Sequence, residues 1–109
     1  LATAVDIRGM PRNTTAAMFF VYVLQSLKDM QYYIGYTNNM KRRLSEHNRG
    51  YSFATSFRRP FKCIYVEGCL NEQDAKRREG YLKTTQGRRF LGLRLVQYTK
   101  AMRALGNGS

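Results

Sequence analysis

Two short runs dense in aromatic and β-branched residues, Phe19 to Gln25 (FFVYVLQ) and Gln31 to Tyr36 (QYYIGY), lie on either side of Ser26-Leu27-Lys28-Asp29-Met30. Such residues favour pleated strands, and so short a connection returns the chain antiparallel to itself as a hairpin. When an even-numbered loop closes such a pair, opposed residues have numbers that sum to an odd value and share a face of the sheet. Tyr22 and Tyr33 meet that parity. Both phenols are therefore expected on one face, unless a bulge or an odd loop intervenes.

Thr37-Asn38-Asn39 offers N-capping side chains to a helix over Met40 to Arg49, which Gly50 closes as the residue past the end. Its inward stripe is Met40, Leu44 and His47, and Arg43 borders that stripe. Gly50 to Pro60 reads as a loop, and Phe61 to Glu67 as a third strand ended by Gly68. Asn71 to Asp74 starts a second helix that runs to Lys83, with carboxylates at the positive end of its dipole. Ala75, Glu79 and Leu82 then share its inward face. A carboxylate at such a position is unfavourable unless it is paired or binds a metal. Gln86 to Leu105 is a third helical stretch, interrupted by Gly87 and Gly92.

The expected fold is α+β: a small three-stranded antiparallel sheet flanked by helices, in the order β-β-α-β-α-α. One domain is expected over 18–105, with 1–17 a non-native or disordered leader, Met18 the natural start, and 106–109 a disordered tail.

Lys and Arg number 19 against seven acids, a formal net charge of +12. Charge of this sign speaks to polyanionic partners rather than to fold. It is concentrated in two tracts, Lys41 to Lys62 and Lys76 to Arg103, whose lone acids are Glu46 and Glu79. Composition alone also fits a solvated surface, a membrane surface or a ribosome-associated RNA-binding protein. Two cysteines, Cys63 and Cys69, and one histidine exclude a four-ligand Cys/His zinc site within the chain. Cys63 is read as a small buried hydrophobe, and a reducing, cytoplasmic setting is assumed. The apolar stretch Ala16 to Leu24 is about half the roughly 20 residues that a membrane-spanning helix needs, so no membrane span is expected.

An aliphatic-rich triplet ending in Tyr22, the triplet Tyr33-Ile34-Gly35, Arg43 in Met40-Lys41-Arg42-Arg43-Leu44 and a late helical Glu79 form an ordered set. Taken singly, each residue has an ordinary reading: hairpin tyrosines, a solvated helix arginine, a salt-bridged glutamate. As a set over Met18 to Phe90 they resemble the GIY-YIG endonuclease superfamily, and in particular its small stand-alone bacterial members, related to the N-terminal incision domain of UvrC. The second motif is intact, whereas the first reads Phe20-Val21-Tyr22 and lacks the glycine.

The resemblance implies a metal-dependent DNA endonuclease that hydrolyses phosphodiesters to a 5′ phosphate and a 3′ hydroxyl, in a repair or recombination setting. Glu79 would hold one divalent ion, Mg²⁺ or Mn²⁺, and Arg43 would grip the scissile phosphate. Tyr22 is favoured as the base, its pKa lowered by Arg43 or the metal, with Tyr33 holding water or phosphate. Gly35 would be structural, serving close approach of the backbone to phosphate or a bulge. His47 would bond the phosphate, relay a proton or be a locally bonded helix histidine. Tyr36 stands where several relatives carry lysine, and Gln86 is only a loose counterpart of a late asparagine found in some. Lys41, Arg42, Arg49, Arg58, Arg59, Arg77 and Arg78 would contact flanking phosphates. Phe53 and Phe57 are expected to pack rather than to stack on a base. Branched, damaged and single-stranded DNA are all open as substrates, as are a specificity-giving protein partner and a monomer or homodimer. The rival reading is a nucleic-acid-binding module of the same fold, inactive or dependent on a partner.

Overall fold

The computed structural model describes residues 18–107, so the expected leader, 1–17, lies outside the described residues, as do the last two positions. Strands β1 (Phe19–Ser26) and β2 (Tyr32–Thr37) form the hairpin, with Tyr22 opposite Gly35 and Leu24 opposite Tyr33. The parity expected from sequence holds, and Tyr22 and Tyr33 share a face. At the turn, Ser26 Oγ accepts from the backbone N–H groups of Lys28 and Asp29, and Met30 takes positive φ.

Asn39 caps helix α1 (Met40–Asn48) by accepting from the Arg42 N–H, and Gly50, at φ +79°, follows its end. The segment expected to be a loop contains a 3-10 turn, Phe53–Arg58. Strand β3 (Phe61–Cys69) pairs with the other edge of β1, giving the order β2-β1-β3, all antiparallel. It runs two residues beyond the expected end because Gly68 pairs with Phe20 instead of stopping the strand. A bulge does occur, but between β1 and β3, where Ile64 is the extra residue, so the hairpin register is untouched.

Helix α2 (Glu72–Leu82) is capped by Asn71, whose side chain accepts from the Gln73 and Asp74 N–H groups. The expected single third helix is instead two, α3 (Thr85–Arg94) and α4 (Val96–Asn107), and the break falls at Leu95 rather than at a glycine. Gly87 serves packing: a Cβ there would lie 2.5 Å from Leu82 Cα, so its absence lets α3 start hard against the end of α2. Helix α4 also takes in Gly106 and Asn107, the first half of the expected tail.

The central strand is buried on both sides, which is why it reads as a nearly continuous apolar run. Val21 and Val23 face Ile34, Ala75, Leu82, Leu91 and Leu95. On the other side Tyr22 and Leu24 pack with Phe61, Tyr33, Met40, Leu44 and the half-buried Cys63. Full burial of such aliphatic side chains stabilises by roughly 1.5–3 kcal/mol each. The α1 stripe expected from sequence thus covers the tyrosine face, and the remaining helices cover the other.

Candidate active site

The phenol of Tyr22 lies at the centre of the α1-covered face. Its ring is 6.4 Å from that of Tyr33, and its hydroxyl is 3.1 Å from His47 Nε2. The Arg43 Nε–H donates to the same hydroxyl at 3.3 Å. Arg43 and His47 stand one turn apart on α1, so a single helix phase delivers both to one oxygen. The Tyr33 and His47 rings meet edge to face at 5.0 Å.

Tyr22 lies directly over Gly35. A Cβ at Gly35 would come 2.6 Å from Tyr22 Cζ and closer still to the hydroxyl. The glycine of Tyr33-Ile34-Gly35 is therefore explained by the opposing tyrosine, and neither a bulge nor a phosphate is needed to account for it.

Burial is the main influence on the Tyr22 phenol and pushes its pKa up; Arg43 opposes this but is outweighed. In the protein alone, Arg43 does not bring this pKa below its ordinary value. His47 is fully buried, and burial followed by the Arg43 charge holds its pKa down to about 4. It is a neutral imidazole at neutral pH. Its two ring nitrogens are bonded to Tyr22 and Thr55, so of its sequence-based roles the local bonding is the one this geometry favours over phosphate contact. For Arg43, burial works to lower the pKa, and the bonds to Tyr22 and Glu46 more than offset it, so the guanidinium stays charged.

Arg43 Nη1 also pairs with Glu46 at 3.3 Å. Beside Arg43 is an open depression of about 270 Å³, lined by Tyr36, Thr37, Asn38 and Glu72 as well. Lys76 Nζ sits 5.6 Å over the Tyr36 ring, so a cation from α2 stands over that side chain.

Glu79 is on α2, with its side chain 22 % exposed and 3.6 Å from Lys83 Nζ. The core-facing carboxylate expected from sequence is thus mostly buried but not enclosed, at the margin of the core, since Ala75 and Leu82 take the fully buried positions. Its charge is felt at Tyr22, as the last of the influences on that phenol. Tyr22, Tyr33, Arg43 and His47 are joined by direct contacts, and Glu79 is linked to them electrostatically. Among the described residues no group of three or more His, Cys, Asp or Glu could hold a metal ion.

The chain matches the GIY-YIG catalytic domain over residues 18–91. It belongs to the GIY-YIG family. This is a nuclease family, acting on nucleic acid and generally using a divalent metal ion. The chain is similar to a UPF0213 protein of Streptococcus pneumoniae, 43 % identical over 65 residues, which are 59 % of this chain and 65 % of that protein. A UPF0213 protein of Oceanobacillus iheyensis is 36 % identical over 80 residues, covering 72 % of this chain and 90 % of the relative. The UPF0213 protein YazA of Bacillus subtilis is 37 % identical over 65 residues, 59 % of this chain and 65 % of its own length. The chain thus spans just under two thirds of the first and last of these. No solved structure matches.

Several cations of this GIY-YIG domain have intramolecular work. Arg78 makes two bonds to Glu67, at 2.9 and 3.0 Å, and lies over the Tyr81 and Phe90 rings. Arg58 pairs with Asp29 at 3.1 Å and lies 5.7 Å over Phe61. These two, offered by the sequence as phosphate contacts, are committed to holding elements together. Lys41, Arg42, Arg49, Arg59 and Arg77 remain exposed. Phe57 is 72 % exposed rather than packed, and the Phe53 side chain lies outside what is described. No helix among the described residues is long and apolar enough to cross a membrane.

Sequence reasoning missed Thr55 and Asn48. Thr55 is fully buried, with Oγ1 2.7 Å from His47 Nδ1. Asn48 bonds both the N–H and the carbonyl of Phe61, pinning α1 to β3. Thr55 lies in an irregular segment without periodicity, so nothing local marks it.

Proposed function

We propose that the chain is a metal-dependent DNA endonuclease that hydrolyses a phosphodiester to a 5′ phosphate and a 3′ hydroxyl. What supports this is the meeting of Arg43 and His47 on the Tyr22 hydroxyl, in a chain of net charge +12. Arg43 takes the scissile phosphate at the adjoining depression, exchanging its Glu46 partner for phosphate oxygens that a lysine could not hold as a fork. Tyr33 flanks the same point and positions the attacking water.

Tyr22 is the base. As the water oxygen bonds phosphorus, a water proton passes to the phenol oxygen and the phenol's own proton passes to His47 Nε2. The bond to the 3′ oxygen breaks, and that oxygen takes a proton from solvent. Arg43 helps to keep His47 a weak base in the free protein. A bound phosphate offsets the Arg43 charge, so His47 accepts a proton more readily once substrate is in place.

A single carboxylate, partly open to solvent, suits an ion that keeps most of its waters and takes substrate oxygens, as Mg²⁺ or Mn²⁺ does. Glu79 would hold it, with Lys83 turned aside, and the ion would supply positive charge for the leaving oxygen. Lys41, Arg42, Arg49, Arg59 and Arg77 serve as contacts to flanking phosphates.

The test is cleavage of labelled single-stranded, duplex and branched DNA with Mg²⁺ or Mn²⁺ across salt concentrations, with Tyr22→Phe and Glu79→Gln as controls. Cutting by the wild type alone supports the reading. Binding without cutting under every condition would replace it with the binding module.

A further inference from the structure

Five groups form one hydrogen-bonded line through the site: Arg43 Nε, the Tyr22 hydroxyl, the His47 ring, the Thr55 hydroxyl and the Ser52 carbonyl. The separations are 3.3 Å from Arg43 to Tyr22, 3.1 Å from Tyr22 to His47 Nε2, 2.7 Å from His47 Nδ1 to Thr55 and 3.3 Å from Thr55 to Ser52 O. A guanidinium can only donate and a carbonyl can only accept. The ends therefore differ in kind, while each of the three groups between them can face either way.

Only one arrangement gives every proton an acceptor along this line. Arg43 donates to the Tyr22 oxygen, and Tyr22 donates to His47 Nε2. The Nδ1–H of His47 donates to Thr55, and Thr55 donates to Ser52 O. In the reverse arrangement Nε2–H and Arg43 would both point at the phenol oxygen. The Tyr22 proton would then be left without a partner in this line, at a residue 1 % exposed, and the Ser52 carbonyl would lose the Thr55 proton.

We infer that Thr55, backed by the Ser52 carbonyl, is a positioning residue that holds His47 in the Nδ1–H tautomer and so keeps Nε2 free to accept the Tyr22 proton. The inference rests on the reading of Tyr22 as the base only for its consequence, not for its geometry. The hairpin turn keeps Thr55 in place. Ser26 Oγ donates to Arg58 O at 2.6 Å, and Lys28 Nζ donates to Phe57 O at 3.1 Å, which ties the 3-10 turn to the sheet. The Thr55 N–H donates to Ser52 O at 3.1 Å, which closes the turn on itself. Tyr22 in the sheet is thereby coupled to a segment outside the lining of the phosphate depression.

His47 is the chain's one histidine, so untagged protein grown on ¹⁵N-histidine reports it without ambiguity. The long-range ¹H–¹⁵N pattern at neutral pH is expected to show Nδ1 protonated and Nε2 bare; the opposite pattern overturns the inference. Thr55→Val keeps the shape and removes the hydroxyl. It should shift the ring toward a tautomer mixture and lower kcat by roughly 10- to 100-fold with KM little changed, as loss of an orienting partner does. Thr55→Ser should restore both tautomer and rate. A Thr55→Val protein with wild-type tautomer, or a Thr55→Ser protein as impaired as Thr55→Val, would also overturn it. Wild-type protein that shows the Nδ1–H tautomer yet cuts no DNA would sink the cleavage reading and leave the tautomer lock standing.

Discussion

Tyr22 and Gly35 are opposed across the hairpin, and the tyrosine ring fills the space where the glycine has no side chain. The two motifs of the family are thus one packing unit, each defining what the other must be. Gly35→Ala should push the ring off its bonds to Arg43 and His47. A stability loss of about 1–3 kcal/mol is expected from overpacking, with a larger fractional loss of cleavage. Thermal unfolding and nicking assays on the same preparation check this, and an unaffected rate would show that the Tyr22 position is not demanding.

Arg43→Lys preserves the charge and loses the fork. The lysine ammonium can reach either the phenol or the phosphate, whereas the guanidinium bonds Tyr22 through Nε and Glu46 through Nη1, and a phosphate would compete with Glu46 for its outer edge. Single-turnover cleavage should fall by about 100-fold or more, the scale of a lost transition-state donor. DNA affinity should change far less.

Glu79→Gln removes a charge at a partly buried position whose ion-pair partner, Lys83, is itself half in solvent. Folding should barely change, because pairs of this kind contribute about 0–1 kcal/mol. Metal-stimulated cleavage should disappear while DNA binding persists. Filter binding and nicking measured together separate a catalyst from a binding module: a variant that still cuts with Mg²⁺ would remove Glu79 from the mechanism.

Stability should depend on pH through His47. The folded-state pKa is held at about 4, against 6.5 for the free side chain. Between those values the unfolded chain binds a proton that the folded protein refuses. Stability is therefore complete above about pH 6.5 and falls as the pH drops toward 4, by up to about 3 kcal/mol. Urea titrations at several pH values check it, with His47→Asn expected to lose the slope from this window.

Binding to nucleic acid should weaken steeply with salt, and unequally among cations. Arg42→Ala or Arg59→Ala, each removing an exposed cation, should lower the log–log salt slope by about one unit. Arg78→Ala should leave that slope nearly unchanged and lower stability instead, because its guanidinium is bonded to Glu67 and stacked on Phe90. Fluorescence anisotropy across a salt series distinguishes the two classes.

Hairpin, capped helices and strand order of types were legible because each depends on local periodicity. The parity of 22 and 33, the Asn39 and Asn71 caps and the α1 stripe needed only strand and helix repeats. Where the outcome depended on a distant surface, local rules failed. Gly68 and Gly92 look like breakers, but pairing with Phe20 carries the first through a strand, and the second lies within α3. Arg58 and Arg78 look like free cations, but their charges are taken up by Asp29 and Glu67 from other elements.

The sequence by itself determined the hairpin, the third strand and the first two helices, the face shared by the tyrosines, and the helix phase that sends Arg43 and His47 to one side, since these follow from backbone repeats of two and 3.6 residues. Only the tertiary structure decided what those side chains become. Burial raises the Tyr22 pKa and keeps His47 neutral, and Glu79 keeps only a margin of contact with solvent. The 3-10 turn, with no periodicity to announce it, brings Thr55 against the imidazole. Desolvation and hydrogen-bond direction are properties of a closed environment, and in this protein that environment is assembled from segments far apart in the chain.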